Sequence, residues 1–386
     1  MHRTTRRTLA LAGALAAGAA VTPPAFAATP NNSPRGAAFV QENALSGNTV
    51  VGWSRLRDGS LVASGAWATG GNGGVTQGAP FDALASQGSL VLDHAHGLLL
   101  AVNAGSGTLT VFSVHGATLT RRQVLSTGGS FPVSVSVSGD LVYVLNGGGS
   151  VGVTGFRIGA GSSLTAIPGS ARSVGITNTA VPEFLHSPGQ VGFTPDGRTL
   201  LVTTKVGGTV LGYPVRSDGT LAPTPAVTPV DGVPFSFAFD RRDHLVLTDA
   251  SVSRTLVYAV GSDGSLTRLG ASAPDGGAAL CWNAASRHFV FGTNSGSGTL
   301  AAWKTGPHGD VTQVGGTGAV SAVGDGAPLD LSVSSDDDHL YALNPLTGTV
   351  QGWSIGSDGS LAQVEDVAGL PQFSPATGGP EGLVAS

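Results

Sequence analysis

The sequence has 386 residues, of which 60 are glycine and only 11% are charged, and its net charge at pH 7 is −5. This composition favours many short strands joined by tight turns, because glycine suits turns and the frequent valine and threonine suit strands. After the N-terminus, no long run has apolar residues at helical spacing, and no basic stripe is present that would bind nucleic acid. We therefore expect an all-β protein without a nucleic-acid partner.

The first 27 residues have the pattern of an export signal. Arginines, including the adjacent Arg6-Arg7, precede an apolar run at 9–21, and Ala25-Phe26-Ala27 fits a cleavage site. We predict a signal peptide over 1–27, a mature chain that starts near Ala28, and a secreted or otherwise extracytoplasmic location. The paired arginines fit the twin-arginine export route, and an ordinary Sec signal fits equally well. No later apolar run approaches the roughly 20 residues that a membrane span needs.

A repeated unit covers the rest of the chain. Each copy has an aromatic anchor, an apolar residue seven or eight positions later, and a short polar residue nine or ten positions earlier. The anchors are Trp53, Phe112, Phe156, Tyr213, Tyr258, Trp303 and Trp353. The apolar residues are Leu61, Leu119, Leu164, Leu221, Leu266, Val311 and Leu361. The polar residues are Asn43, Asn103, Asn146, Thr204, Asp249, Asn294 and Asn344. Two further apolar strands precede every anchor except the first, which has one, so a complete copy predicts four strands, the pattern of a β-propeller blade.

The anchors predict a seven-bladed β-propeller of four-stranded antiparallel blades. It forms one domain over 37–386, after a flexible linker at 28–36, and we expect a monomer. The first blade lacks an innermost strand at its own end of the sequence, whereas 379–385 resembles the Pro-entered innermost strands of other blades. We therefore expect the C-terminal strand to join the N-terminal blade. Closing the ring in this way removes two sheet edges that would otherwise invite aggregation.

The spacing of the repeat indicates extra chain around 62–88 and 165–188. Both insertions connect the outermost strand of one blade to the innermost strand of the next, so they belong to one face of the ring, which we call the insertion face. Insertions on a single face of a repeat ring often mark a binding face. The repeated polar residue lies on the same face, where a turn-forming role is the simplest explanation. The Asp-Gly pairs, such as Asp58-Gly59, belong to hairpins on the opposite face, which we call the hairpin face.

Other polar groups do not form a recognisable centre. Asp336-Asp337-Asp338-His339 lacks the carboxylate spacing of a calcium loop and fits a solvated turn. His94 and His96 are a close pair without a third metal ligand in view, and no serine elbow stands between a strand and a helix. The single cysteine, Cys281, excludes an internal disulfide. We expect neither a metal nor a cofactor.

The candidate site is the insertion that leads into the fourth blade, together with the turns beside it. Glu183 and His186 in this insertion could supply a general base and acid. Four more groups could bind a small-molecule or carbohydrate-like ligand, its anionic tail or a developing oxyanion: Gln190, Lys205, Asp249 and Arg254. Surface loops are also polar for solubility alone, so a role without chemistry stays open.

The fourth-blade passage 186–205 resembles the lactonase family of seven-bladed propellers, which includes 6-phosphogluconolactonases and carboxymuconate-cyclising enzymes. Its most specific part is 193–200, Phe-Thr-Pro-Asp-Gly-Arg-Thr-Leu. In that family the inner strand begins with Gly-Pro-Arg-His and the next strand ends with Asn-Glu. This chain has Ser-Pro-Gly-Gln at 187–190 and Thr-Thr-Lys at 203–205. The resemblance thus implies the fold, while the residues that would bind the substrate's acid group and move protons are replaced.

Two functions remain as hypotheses from the sequence. The first is an exported lactone hydrolase, in which Glu183 or His186 activates water and Lys205 or Arg254 places the substrate. The second is an extracellular or cell-envelope binding propeller that has kept the ring and lost the chemistry. A fold alone does not choose between them, because propellers support many functions.

Overall fold

The computed structural model describes residues 32–315, 321–323 and 326–386. The predicted signal peptide, with its cleavage site, lies outside these residues. Within them the chain forms thirty β-strands and three short 3₁₀ helices, at Ala104–Ser106, Ala160–Ser162 and Lys205–Gly207. None of the helices in this part of the chain is long and apolar enough to cross a membrane.

The strands form seven separate sheets, one for each blade. Blade 1 begins with β1 (Pro34–Gln41), β2 (Thr49–Leu56) and β3 (Leu61–Ala68). Blade 2 contains β4 (Leu90–Asp93), β5 (Leu98–Asn103), β6 (Thr108–His115) and β7 (Thr118–Ser126). Blade 3 contains β8 (Ser130–Ser138), β9 (Leu141–Gly148), β10 (Ser150–Ile158), β11 (Leu164–Ala166) and β12 (Arg172–Thr177). Blade 4 contains β13 (Gln190–Phe193), β14 (Thr199–Thr203), β15 (Thr209–Pro214) and β16 (Ala226–Pro229).

The remaining blades follow the same order. Blade 5 contains β17 (Pro234–Phe239), β18 (Leu245–Asp249), β19 (Arg254–Val260) and β20 (Leu266–Pro274). Blade 6 contains β21 (Leu280–Ala285), β22 (Val290–Asn294), β23 (Thr299–Thr305), β24 (Val311–Gln313) and β25 (Ser321–Ala322). Blade 7 contains β26 (Leu331–Val333), β27 (His339–Asn344), β28 (Thr349–Ile355) and β29 (Leu361–Ala368). The last strand, β30 (Glu381–Ala385), returns to blade 1.

The ring closes through β30, as the sequence predicts. This strand pairs antiparallel with β1, with Val40 opposite Leu383 and Ala38 opposite Ala385. Leu383 is 4% exposed and packs in a core cluster that joins blades 1 and 7. The seven-bladed all-β fold and its closure are therefore confirmed. Because β1 begins at Pro34, the last three residues of the predicted linker belong to the first strand instead.

The aromatic anchors all lie in the third strand of their blades and are buried between neighbouring blades. Their exposed fractions range from 0% for Phe112, Tyr213 and Trp303 to 6% for Tyr258. Tyr143 and Tyr341, each in the second strand of its blade, also link adjacent blades. Their hydroxyl groups donate to Gly219 O and Gly59 O, which belong to the Asp-Gly turn of the next blade. The aromatic position of the repeat therefore recurs because it packs each blade against its neighbour.

The short polar residues at the ends of the second strands are buried in the structure. Asn43 exchanges two hydrogen bonds with the backbone of Gly74, and Asn146 accepts one from the Thr127 hydroxyl. A glycine from the preceding connection packs directly on several of them; a Cβ on Gly326, for example, would lie 1.7 Å from Asn344 Nδ2. Glycine is therefore the only residue that fits there.

The two insertions are shorter at their start than the spacing indicates. β3 continues to Ala68, and blade 3 has an additional strand, β12, that pairs with β10 up to Thr177. The irregular connections therefore run over 69–89 and 178–189. The sequence overestimates them because backbone pairing, rather than residue type, decides where these outer strands end.

Candidate functional site

The two connections meet over one end of the ring. The backbone N–H of Gln77 donates to Pro182 O at 2.8 Å, and Phe184 N–H donates to Gln77 O at 2.9 Å. Gln77 and Glu183 form a parallel β-bridge at this point. The connection into blade 2 and the connection into blade 4 thus form a single cover on the insertion face.

Residues 82–88, which we call the axial plug, run beneath this cover and across the propeller axis. The Ser86 hydroxyl donates to Val133 O in blade 3 at 2.8 Å, and Trp282 Nε1 of blade 6 donates to Ser86 O at 3.0 Å. The side chain of Gln87 exchanges hydrogen bonds with the backbone of Asn283, and its N–H donates to Gly189 O. Since residues 82–86 are all 0% exposed, the plug closes this end of the ring.

Glu183 and His186 form an exposed carboxylate–imidazole pair on the outer side of the cover. Glu183 Oε2 lies 2.6 Å from His186 Nδ1, and the side chains are 61% and 57% exposed. The N–H groups of His186 and Ser187 both donate to Glu183 O, so a tight turn brings the two side chains together. A carboxylate bound to Nδ1 holds the ring in the tautomer whose Nε2 can accept a proton. The pair has the arrangement of a general base with its orienting group.

Lys205 lies between the cover and the axial plug, and it is 1% exposed. Its Nζ donates to Ala85 O at 2.8 Å, to Phe184 O at 2.7 Å and to the Ser187 hydroxyl at 2.8 Å. Burial lowers the pKa of Lys205 to about 7, against the opposing effect of the Asp82 carboxylate. An ammonium group has three donors, so these contacts use all of them.

The other three predicted residues also have partners within the fold. The Gln190 amide binds the N–H and C=O of Phe237 on the next inner strand, at 2.7 and 3.2 Å. Asp249 Oδ1 accepts from Val233 N–H, and its Oδ2 accepts from Arg254 Nε at 2.8 Å. Arg254 also donates to Asp231 O. Of the six predicted residues, the structure groups Glu183, His186 and Lys205 around one loop.

Three buried acids, one in the plug and two beside it, were not recognised from the sequence. Asp82 and Glu381 are 0% exposed and Asp330 is 4% exposed. Glu381 Oε1 accepts from Ala83 N–H at 2.5 Å, Asp82 Oδ1 from Ala85 N–H at 2.7 Å, and Asp330 Oδ2 from Gly382 N–H at 2.9 Å. A carboxyl group in an otherwise apolar inner strand, as at Glu381, is the signal that could have revealed them, because acids are rarely buried without a partner.

Burial governs the protonation of this acid cluster. It raises the pKa of Asp82 to about 6 and that of Asp330 to about 7, and it raises the pKa of Glu381 well above its usual range. The second oxygens of Asp82 and Glu381 have no protein donor among the described residues. They can pair with each other when one of the two carboxyl groups keeps its proton. Strongly shifted groups that meet in this way are typical of functional sites, although structural clusters show them too.

A cavity of about 430 Å³ occupies the propeller axis on the other side of the plug. Residues of the innermost strand of every blade line it, among them Leu90, Val135, Phe237 and Leu383. Inner-strand residues become half-exposed towards the C-terminal ends of their strands, as at Ala284 and Val333. The cavity therefore opens on the hairpin face, opposite Glu183 and His186.

The acidic turns on the hairpin face are tied into the fold. Asp336 accepts from Arg55 at 2.8 Å, and Asp240 lies 3.1 Å from His244. Asp93 and His96 form a pair with the same spacing in sequence as Glu183 and His186, and with the same 2.6 Å separation. Across the described part of the chain, no group of three or more His, Cys, Asp or Glu residues is placed to hold a metal ion.

Solved structures with similar folds include several propellers named as lactonases. A Lactobacillus plantarum protein superimposes with a TM-score of 0.68 at 17% identity, covering 90% of this chain and 98% of its own. A putative 6-phosphogluconolactonase from Bacteroides fragilis gives 0.66 at 14% identity, covering 93% and 99%. A periplasmic gluconolactonase from Pseudomonas aeruginosa gives 0.65 at 18% identity, covering 87% and 98%.

The chain has the fold of the lactonase-type seven-bladed propellers. At these identities the likeness establishes the fold. No protein-family model matches the sequence, and no curated protein is similar to it in sequence.

Proposed function

We propose that this protein is exported and hydrolyses small sugar or aromatic lactones, with Glu183 and His186 as its acid–base pair. The observation that carries this proposal is the 2.6 Å contact between Glu183 Oε2 and His186 Nδ1 on an exposed loop of the insertion face. The solved propellers named as gluconolactonases support the reaction class. The export signal predicted over 1–27 supports the location.

In the proposed reaction, His186 Nε2 takes a proton from water as the water oxygen attacks the lactone carbonyl carbon. The ring C–O bond then breaks, and the imidazolium returns the proton to the departing alkoxide oxygen, so the product is a hydroxy acid. Glu183 holds the imidazole orientation and stabilises its positive charge.

The other predicted residues take different parts in this proposal. Lys205 holds the loop by its contacts with Phe184 and Ser187. Gln190 joins blades 4 and 5 through the Phe237 backbone. Arg254, whose side chain is 26% exposed, binds an anionic tail of the substrate, and Asp249 fixes its guanidinium.

A panel of sugar and aryl lactones tests the proposal on the chain that lacks residues 1–27. We expect Glu183→Gln and His186→Ala to lower kcat/KM by about 100-fold or more, the usual contribution of general acid–base catalysis. His96→Ala is the matched control, because His96 has the same contact with Asp93 on the opposite face. Turnover that His186→Ala leaves unchanged would assign the activity to another site.

A binding propeller without catalysis is the second candidate. It is favoured by the partners that Gln190, Lys205 and Asp249 already have within the fold, since these groups are not free to touch a substrate on the insertion face. Gly189 and Gln190 also stand where the resemblance implies arginine and histidine. Absence of turnover across the whole lactone panel, with a folded protein, would select this candidate.

A further inference from the structure

The axial cavity is separated from the loop that carries Glu183 and His186. The plug residues Asp82 to Ser86 are fully buried, and Lys205 binds both Ala85 O of the plug and Phe184 O of the loop. A molecule held at the loop therefore has no open route to the cavity. Any ligand of the cavity enters from the hairpin face, so an inference about it goes beyond the proposed lactone hydrolysis.

The cavity has the size and wall of a small-molecule site. Its volume of about 430 Å³ falls in the range of ligand pockets, roughly 300–1,000 Å³. The wall is part apolar and part polar: half-exposed side chains such as Phe239, Val137 and Val333 alternate with polar ones, while Phe193 and Phe237 are buried between blades. Such a wall favours an apolar body, and aromatic faces also attract a cation.

Several polar side chains of the wall already have hydrogen-bond partners within the protein. Gln87 and Gln190 bind backbone groups of the neighbouring inner strands, and Ser332 accepts from Ala385 N–H at 2.9 Å. Asp330 is the one charged side chain among the described residues that line the cavity. It stands where β26 begins, at the closed end beside the plug, where its Oδ2 accepts from Gly382 N–H at 2.9 Å and the Gly88 backbone N–H also binds the carboxyl group. No cationic side chain lies among the described residues of the wall.

We propose that the axial cavity binds a small organic cation, with its ammonium group on the Asp330 carboxylate and its aromatic or aliphatic body along the half-exposed side chains of Phe239 and the valines of the wall. An ammonium would supply the charge partner and the donors that a buried carboxylate needs. The other charged groups nearby are committed elsewhere. The three donors of the Lys205 ammonium are used by Ala85 O, Phe184 O and the Ser187 hydroxyl, while Asp82 and Glu381 pair on the plug side.

Proton linkage gives this site a distinctive pH dependence. Burial raises the pKa of Asp330 to about 7, and the negative charge of Asp82 adds to the effect. Besides Asp82 on the plug, the titratable groups in this cluster are Glu381 on β30, Lys205 of blade 4 and Cys281 on β21. A bound cation favours the ionised carboxyl, so its affinity should rise between pH 6 and pH 8 as the free protein loses the Asp330 proton.

Calorimetric titration with three probes that share a phenyl ring tests the proposal. We expect 2-phenylethylamine to bind at pH 8 at least 10-fold more tightly than 2-phenylethanol, and 3-phenylpropionate not to bind. The affinity for the amine should fall at pH 6. Equal affinities for the three probes, or no binding of the amine, would overturn the proposal.

Two variants connect the binding to the cavity. Asp330→Asn keeps an oxygen that can accept from Gly382 N–H, and it should abolish the preference for the amine over the alcohol. Asp93→Asn is the matched control on the same face, outside the cavity wall, and should bind as the unchanged protein does. Ala284→Phe fills the mouth without touching Asp330 and should weaken both amine and alcohol. Amine binding that survives both Asp330→Asn and Ala284→Phe would contradict the assignment.

Discussion

The closing strand β30 should carry a measurable share of the stability. Leu383→Ala truncates a side chain that is 4% exposed and packs with Val40, Trp53 and Leu343 across the junction of blades 1 and 7. Truncations of buried leucine to alanine cost about 2–5 kcal/mol, because they lose apolar burial and leave a cavity. We expect a loss of about 3 kcal/mol in the free energy of unfolding.

The expected change in melting temperature is small for a chain of this length. An unfolding entropy of roughly 2 cal/mol/K per residue gives about 0.7 kcal/mol/K for some 350 residues, so 3 kcal/mol corresponds to about 4 °C. Urea unfolding followed by tryptophan fluorescence measures the free energy more directly. Val62→Ala, on a side chain that is 52% exposed in the same blade, is the control and should change it by less than about 0.5 kcal/mol. Equal unfolding curves for Leu383→Ala and Val62→Ala would refute a structural role for the closure.

Two further predictions concern the buried charged groups. Lys205→Met removes the ammonium between the plug and the cover; it should lower the free energy of unfolding by about 3–5 kcal/mol and speed amide exchange over 178–187. Lys304→Met, on an exposed side chain, is the control and should change neither quantity. Equal results for the two variants would show that Lys205 does not hold the plug and the cover together. The free energy of unfolding should fall as pH rises from about 5 to 7, because burial raises the pKa of Asp82 to about 6 and of Asp330 to about 7, so the folded state holds protons that the unfolded state has lost. Lys205, with its pKa lowered to about 7, adds an opposite change only above that pH. Asp82→Asn should reduce the total fall in the free energy of unfolding between pH 5 and pH 7 by about 1 kcal/mol. An unchanged fall, measured by urea titrations at each pH, would show that Asp82 does not titrate in this range.

The blades could be predicted because the repeat is a direct record of packing. Each anchor, such as Trp353, is buried against the adjacent blade, and the same contact recurs in every copy. The closing strand was predictable for a related reason, since a ring of four-stranded blades left one strand missing at the N-terminus. Strand ends were harder. The last residues of β3, including Gly65 and Ala66, are not strong strand formers, and only their pairing with β2 makes them a strand.

The candidate site was less accessible to sequence reasoning. Glu183 and His186 lie close together in sequence, so a turn is enough to pair them. Lys205 was expected to face a substrate, because nothing in the sequence shows that residues 82–88 cross the axis and occupy its ammonium. The cluster of buried acids could not be predicted from the sequence for the same reason. Asp82, Asp330 and Glu381 belong to three distant segments that only the closed ring brings together.

The pairing of β1 with β30 also has a kinetic consequence. The hydrogen-bonded partners Ala38 and Ala385 are separated by almost the whole length of the described chain. Contacts of such large sequence separation form late and slow folding, because a long loop must close before they contribute. During synthesis, six blades can assemble while β1 still presents an unpaired edge, which is the situation in which a β-protein is prone to associate with other chains. The pairing of β30 with β1 should therefore be decisive for the yield of native protein.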